Sequence, residues 1–167
     1  LTSQLHTEQG FLEQVEANRA MIHKVCHVYC HHPADREDLF QEIVVQLWKA
    51  WPGFRGESRF TTWLYRIALN TAISGLRKNR APTIYMEPGL LPEQLKDDSE
   101  HPDKEEKIGR LYAAIRQLSE LDRAMVMLYL EEKSYEEMEE ILGINQSNLR
   151  VKMNRAKEKL RKLINGS

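Results

Sequence analysis

"SYEEMEEILGINQSNLRVKMNRAKEKL", residues 134–160, holds two helices and the turn between them. Ser134 followed three residues later by Glu137 is a capping box, which satisfies N–H groups left open at a helix start. Gly143 ends that helix where a left-handed residue is needed. Asn145 can cap the next helix, whose apolar positions Leu149, Met153, Ala156, Leu160 and Leu163 recur at helical spacing. A short helix, a glycine turn and a long basic helix read as a helix-turn-helix, whose second helix enters the DNA major groove by its N-terminal half. Arg150, Lys152 and Arg155 lie off the apolar stripe in that half, within reach of guanine edges or phosphates. Lys157, Lys159, Arg161 and Lys162 lie further along and suit phosphate or solvent. The plainer reading is a helical hairpin with a solvated basic face.

Working outward, charge separates along the chain although the net charge of the 167 residues is only −1. Residues 149–162 carry seven Arg/Lys against one acid, and residues 55–80 carry six against one. Residues 93–106 hold seven acids and two lysines, and 131–140 hold six acids and one lysine. Two basic segments of opposite sign to their neighbours suggest two contacts with a polyanion. A hydrophobic content of 41% is enough for packed cores. No stretch approaches the roughly 20 apolar residues that span a bilayer, and the first thirty residues lack the pattern of a secretory leader. The expected location is therefore cytoplasmic, without membrane insertion.

Helical periodicity runs almost throughout, with no sustained strand alternation. Helices are expected from about Glu8 to Cys30, Asp35 to Trp51, Thr61 to Asn79, Lys104 to Leu118, Asp122 to Glu131, Ser134 to Leu142 and Asn145 to Ile164. Between them, "APTIYMEPGLLPEQLKDDSEHPD", residues 81–103, places four prolines in 23 residues with no sustained apolar face. The expected fold is all-α: two small helical domains, 1–81 and 104–167, joined by a flexible linker at 82–103, the C-terminal one a helix-turn-helix.

The helix from Thr61 has an unusual wheel. Leu64, Tyr65, Ile67, Ala68, Leu69, Thr71, Ala72 and Leu76 cover most of its circumference, so neighbours should bury it on several sides. The remaining stripe is Arg66, Asn70, Ser74 and Arg77, with Trp63 at its head. An amide there can read a base and cations can hold phosphates. Just before it, the loop Phe54–Phe60 mixes two phenylalanines with Arg55 and Arg59, a combination able to hold an unstacked base. Both phenylalanines could equally be core residues flanking a turn.

In the helix from Asp35, Leu39, Phe40, Ile43, Val44, Leu47, Ala50 and Trp51 form an apolar face. Val45 and Trp48 sit opposite, among Asp38, Gln41, Glu42, Gln46 and Lys49. That pair either docks a protein partner or packs beneath the first helix. In the first helix, "HKVCHVYCHH" at 23–32 concentrates four histidines and both cysteines. Phe11, Val15, Ile22, Cys26 and Tyr29 share one face, which makes Cys26 a core residue. Cys30 lies at the margin of that face and His23, His27 and His31 on the outer side, where two imidazoles and Cys30 could hold zinc, but no fourth ligand stands at a standard spacing. No metal and no cofactor is expected. Nor is an enzyme, since phosphate loop, nucleophile elbow and paired zinc-ligand motif are all missing.

Together, residues 35–78, "DREDLFQEIVVQLWKAWPGFRGESRFTTWLYRIALNTAISGLRK", and residues 118–160, "LSELDRAMVMLYLEEKSYEEMEEILGINQSNLRVKMNRAKEKL", resemble a bacterial RNA polymerase sigma factor of the extracytoplasmic-function type. The first resembles region 2 of that family and the second region 4. The resemblance implies that region 2 recognises and melts the minus-ten promoter element and region 4 reads the minus-thirty-five element as duplex. It puts Asn70 on a minus-ten base, with the loop Phe54–Phe60 around a flipped one. It puts Arg150, Val151, Lys152 and Arg155 on the minus-thirty-five element. Asp38, Gln41, Glu42, Val45 and Trp48 would meet the clamp helices of the largest subunit of core RNA polymerase. Further partners implied are promoter DNA, the flap of the second-largest subunit and an anti-sigma factor. Glu139 departs from the family, in which that helix-turn-helix position is usually alanine or another small residue; Val151 and Asn154 also replace residues common there. The competing functions are a metal- or redox-responsive helix-turn-helix regulator acting without polymerase, and an adaptor that binds only proteins.

Overall fold

The computed structural model of the chain describes residues 7–78 and 102–166. Among these, every regular element is helical: α1 (Glu8–Ala17), α2 (Arg19–Tyr29), α3 (Pro33–Ala50), a 3-10 turn at Trp51–Gly53, α4 (Phe60–Lys78), α5 (Pro102–Arg116), α6 (Glu120–Leu130), α7 (Tyr135–Leu142) and α8 (Gln146–Asn165). The expected linker at 82–103 falls outside the described residues except for Pro102 and Asp103, which open α5.

The expected single first helix is two. The break is at Asn18, whose φ of −114° and ψ of 17° leave the helix and whose side-chain amide donates to the Gln14 carbonyl at 2.8 Å. A short polar side chain here competes for a backbone acceptor of the preceding turn. The other ends follow local chemistry. Pro33 begins α3, where its fixed φ suits a first turn and its missing N–H leaves no donor open. The Ser119 hydroxyl accepts from the Asp122 N–H at 3.2 Å to start α6.

Helices α1–α4 form one layer set around Ile22, Val25, Cys26, Ile43, Leu47, Leu64, Tyr65 and Leu69, all buried. Helices α5–α8 form another around Ile115, Met125, Leu128, Met138, Leu149 and Met153. Fully burying each such side chain stabilises by about 1.5–3 kcal/mol. The buried residues of both sets belong to one connected cluster, so the halves touch along a seam.

That seam is also polar. The Tyr29 hydroxyl donates to the Glu120 carbonyl at 2.7 Å, and Arg116 donates to the His27 carbonyl at 2.9 Å. Lys24 pairs with Glu131 at 2.8 Å, while the Lys133 ammonium stands 5.6 Å from the Tyr65 ring centroid. Arg36 donates to the Cys30 carbonyl at 3.1 Å, and Arg123 lies over the Tyr29 ring. Cations thus gather on the carbonyl end of α2, where the helix dipole is negative.

Candidate nucleic-acid interface

The helix-turn-helix is set by three caps. The Ser134 hydroxyl accepts from the Glu137 N–H at 3.1 Å and donates to the Glu137 carboxylate at 3.3 Å. Gly143 takes φ +72°, in the left-handed region that penalises a Cβ, and its N–H closes α7 on the Glu139 carbonyl at 2.8 Å. The Asn145 side chain then accepts from the Asn148 N–H at 2.9 Å to open α8. Leu149, Met153 and Ala156 bury one face of α8. Arg150, Val151, Lys152 and Arg155 are all exposed on the other, and Val151 is 51% exposed. The Arg150 guanidinium rests 5.3 Å from the Tyr135 ring centroid. Further along, Lys157 lies 3.9 Å from the Tyr129 ring centroid and Lys159 pairs with Asp122 at 3.8 Å, so these cations are engaged within their own half.

Helix α4 buries Leu64, Tyr65, Ala68, Leu69 and Ala72 and leaves Arg66, Asn70 and Ser74 exposed in a row. Arg77 continues the row in sequence; its side chain is outside the described set. Arg66 is not simply solvated. Its Nε and Nη2 donate to the Glu140 carbonyl, at 3.2 and 2.7 Å, so α7 lies against this face.

The loop before α4 is built on aromatic packing. Phe54 stacks on Trp51 at 5.7 Å and meets Phe60 edge-on at 5.8 Å and Trp63 at 5.0 Å. Phe54 is buried, so the side chain supports the loop and presents little ring surface to a base. Phe60 and Trp63 are half-buried, Arg55 and Arg59 exposed, and Gly56 turns the loop at φ +73°. The open groups of the expected pocket are therefore Phe60, Trp63 and the two arginines.

On α3, Asp38, Gln41, Glu42, Val45 and Trp48 are exposed together. Trp48 is 47% exposed yet packs edge-on against Phe11 at 5.0 Å, so one edge lies beneath α1 and the remainder faces out. The packing reading thus holds in part for Trp48, while Val45 is 42% exposed.

The histidines of 23–32 are dispersed. His23 stacks on Phe40, His27 faces Tyr112 and His31 meets His32. Among the described residues no three His, Cys, Asp or Glu gather as metal ligands would. Burial, with the nearby Cys30, pushes the Cys26 thiol up to about 12, although Arg36 and a backbone hydrogen bond oppose this. Burial and then Asp35 push Cys30 up as well, against Arg36, Arg123 and Arg116. Neither thiol is tuned for nucleophilic chemistry.

One surface was not legible in the sequence. Val126, Tyr129, Leu130, Leu160 and Ile164 line a depression of about 270 Å³ between α6 and α8, with Lys157 and Arg161 at its rim. The exposed apolar pair Tyr129–Leu130 ending α6 was the available signal.

Two family descriptions match these two halves in order. Sigma-70 region 2 covers residues 14–81, and Sigma-70, region 4 covers residues 108–160. The chain belongs to the extracytoplasmic-function sigma factors of the sigma-70 family. It is similar to the ECF RNA polymerase sigma-E factor of Haemophilus influenzae, with 33% identity over 138 residues, 74% of this chain and 71% of the relative. It is 50% identical to SigG of Mycobacterium tuberculosis over 52 residues, which are 29% of this chain and only 14% of SigG. The fold is similar to that of the sigma factor RpoE of Bartonella quintana, solved in complex with the anti-sigma factor NepR, with a TM-score of 0.69 at 20% identity covering 93% of this chain and 96% of that one. In this sigma factor no helix among the described residues is long and apolar enough to cross a membrane.

Proposed function

We propose that the chain is an alternative sigma factor, a non-enzymatic subunit that binds core RNA polymerase and directs promoter recognition and transcription initiation. The ordered pair of family matches, each falling on a half with its own exposed polar face, carries this reading. Residues 1–81 form the minus-ten unit, 104–167 the minus-thirty-five unit and 82–103 the connection. Arg150, Val151, Lys152 and Arg155 meet duplex DNA, the cations holding phosphates or guanine edges. Arg66, Asn70, Ser74 and Arg77, with Phe60, Trp63, Arg55 and Arg59 of the loop, capture the displaced strand, and Phe54 braces that loop. Unstacking a base costs a few kcal/mol, which base capture and phosphate neutralisation offset. No covalent bond is made or broken by the chain. The α3 patch around Val45 and Trp48 docks on the clamp helices, and the depression lined by Tyr129 and Leu130 suits an apolar segment of the flap. An anti-sigma factor is a further partner, and the site of action is the cytoplasm. Start-site mapping with reconstituted holoenzyme on genomic DNA tests the reading: discrete new start sites are expected, and transcription no different from core polymerase alone overturns it.

A further inference from the structure

We propose that Val151 and Asn154 set the base sequence selected by α8: Val151 packs on the C5-methyl group of a thymine, and Asn154 holds the edge of an adenine on a neighbouring base pair of the same duplex element. The inference rests on the assignment of α8 to duplex reading and adds which bases that helix prefers. The assignment itself gives Asn154 no role and Val151 no chemical task.

The orientation of α8 is fixed by what it buries. Leu149, Met153 and Ala156 are all fully buried, so side chains diametrically opposite them reach deepest into a groove. At about 100° per residue, Val151 lies within about 15° of that opposite point, with Asn154 and Arg155 about 50° to either side. Arg150 and Lys152 stand about 90° and about 110° from it, toward the two walls of the groove, where the phosphates run. Arg150 is already turned aside, against the Tyr135 ring at 5.3 Å. The cations that adjoin Val151 in sequence therefore suit the backbone, and the base edges fall to Val151, Asn154 and Arg155. Ser147 shares the face one turn earlier, but a hydroxyl both donates and accepts and so serves any base. Glu158 comes to the same side two turns further on, where it is paired with Arg161 at 3.1 Å.

A single exposed valine elsewhere on a surface means little. Val151 is 51% exposed at the centre of a face that is otherwise polar and cationic, and it can offer no hydrogen bond there. The one apolar group on the major-groove edges is the thymine methyl. Asn154 is exposed, and its side-chain amide makes no hydrogen bond among the described residues. An amide presents a donor and an acceptor side by side, the complement of adenine N7 and N6. Three residues of helix advance about 4.5 Å against about 3.4 Å between base pairs, so the two contacts fall on neighbouring pairs.

The test selects duplexes from a randomised pool with the full chain assembled on core polymerase, and with core polymerase alone. Affinity for the selected duplex is then measured with modified bases at each position. Deoxyuridine in place of a thymine removes only the methyl group, and 7-deazaadenine in place of an adenine removes only the N7 acceptor. With the wild-type chain, one thymine should prove worth about fourfold through its methyl, the scale of one methyl group taken from water. An adenine on an adjacent pair should prove worth about fivefold through N7, the low end of what a bidentate contact discriminates. Val151→Ser should abolish the first sensitivity alone and Asn154→Ala the second alone, whereas Lys152→Ala should weaken every duplex alike. Modified bases that change nothing in wild type, or sensitivities that survive both substitutions or move with Lys152→Ala instead, overturn the proposal. Enrichment without such sensitivity sinks the base assignment and not the sigma reading; a pool enriched no further than by core polymerase alone sinks both.

Discussion

Helix α8 carries its reading residues into open solvent, whereas α4 holds Arg66 against a carbonyl of the other half. On the proposed function the two helices serve different substrates. A duplex presents its groove ready-made, so α8 needs only rigid caps and one exposed side. A displaced strand becomes available only once bases have left the stack, so α4 would meet single bases and a flexible backbone where α8 meets a fixed groove.

Trp48→Ala should have the largest effect, because it removes a half-exposed aromatic from the patch proposed to meet polymerase while touching neither proposed DNA face. Assembly with core polymerase, followed by titration, should weaken by about 3 kcal/mol, the scale of an interface hot spot. Undiminished assembly would remove α3 from the interface. Asn70→Ala separates the two DNA faces: promoter opening by permanganate reactivity should fall by about 2 kcal/mol, with binding to minus-thirty-five duplex unchanged. Loss of both together would mean that the faces are not independent. Gly143→Ala acts through the turn, since φ +72° disfavours a Cβ by about 1 kcal/mol. A melting temperature lowered by several degrees is expected, and an unchanged one would show that the turn relaxes.

Arg150→Ala or Arg155→Ala should weaken duplex binding modestly and lower the slope of log affinity against log salt by about 1 for each phosphate that is no longer neutralised. An unchanged slope with altered base preference would assign that residue to base reading instead. The smallest effect concerns His31, whose pKa is held below its ordinary 6.5 by burial and then by Arg116, His32 and Arg36. The unfolded chain takes up this proton first as pH falls, so stability should decline below about 6.5. Urea midpoints at pH 7.5 and 5.5 should differ less in His31→Gln than in wild type.

Features closed within one helical turn were legible in the residues alone. The Ser134, Gly143 and Asn145 caps each depend on a residue three or four positions away, and all three form as expected. The break at Asn18 was not legible, because apolar periodicity runs through it in phase and asparagine costs a helix only some tenths of a kcal/mol. The seam was still less so. Its hydrogen bonds join residues 74 to 107 positions apart, such as Arg66 with Glu140 and Lys24 with Glu131, and nothing local marks either partner. Exposure of Val45 and Asn70 followed from the wheel, but burial of Phe54 depended on Trp51, Phe60 and Trp63 converging in space.

The aromatic cluster has a consequence for watching the molecule unfold. All three tryptophans, Trp48, Trp51 and Trp63, lie on α3, on the turn after it and on α4; the half from α5 to α8 has none. Intrinsic fluorescence is therefore a one-sided reporter, while far-ultraviolet circular dichroism records the helices of both halves. Coincident denaturation curves by the two signals would mark the closed molecule as one cooperative unit, and a lag between them would measure how much stability each half keeps for itself.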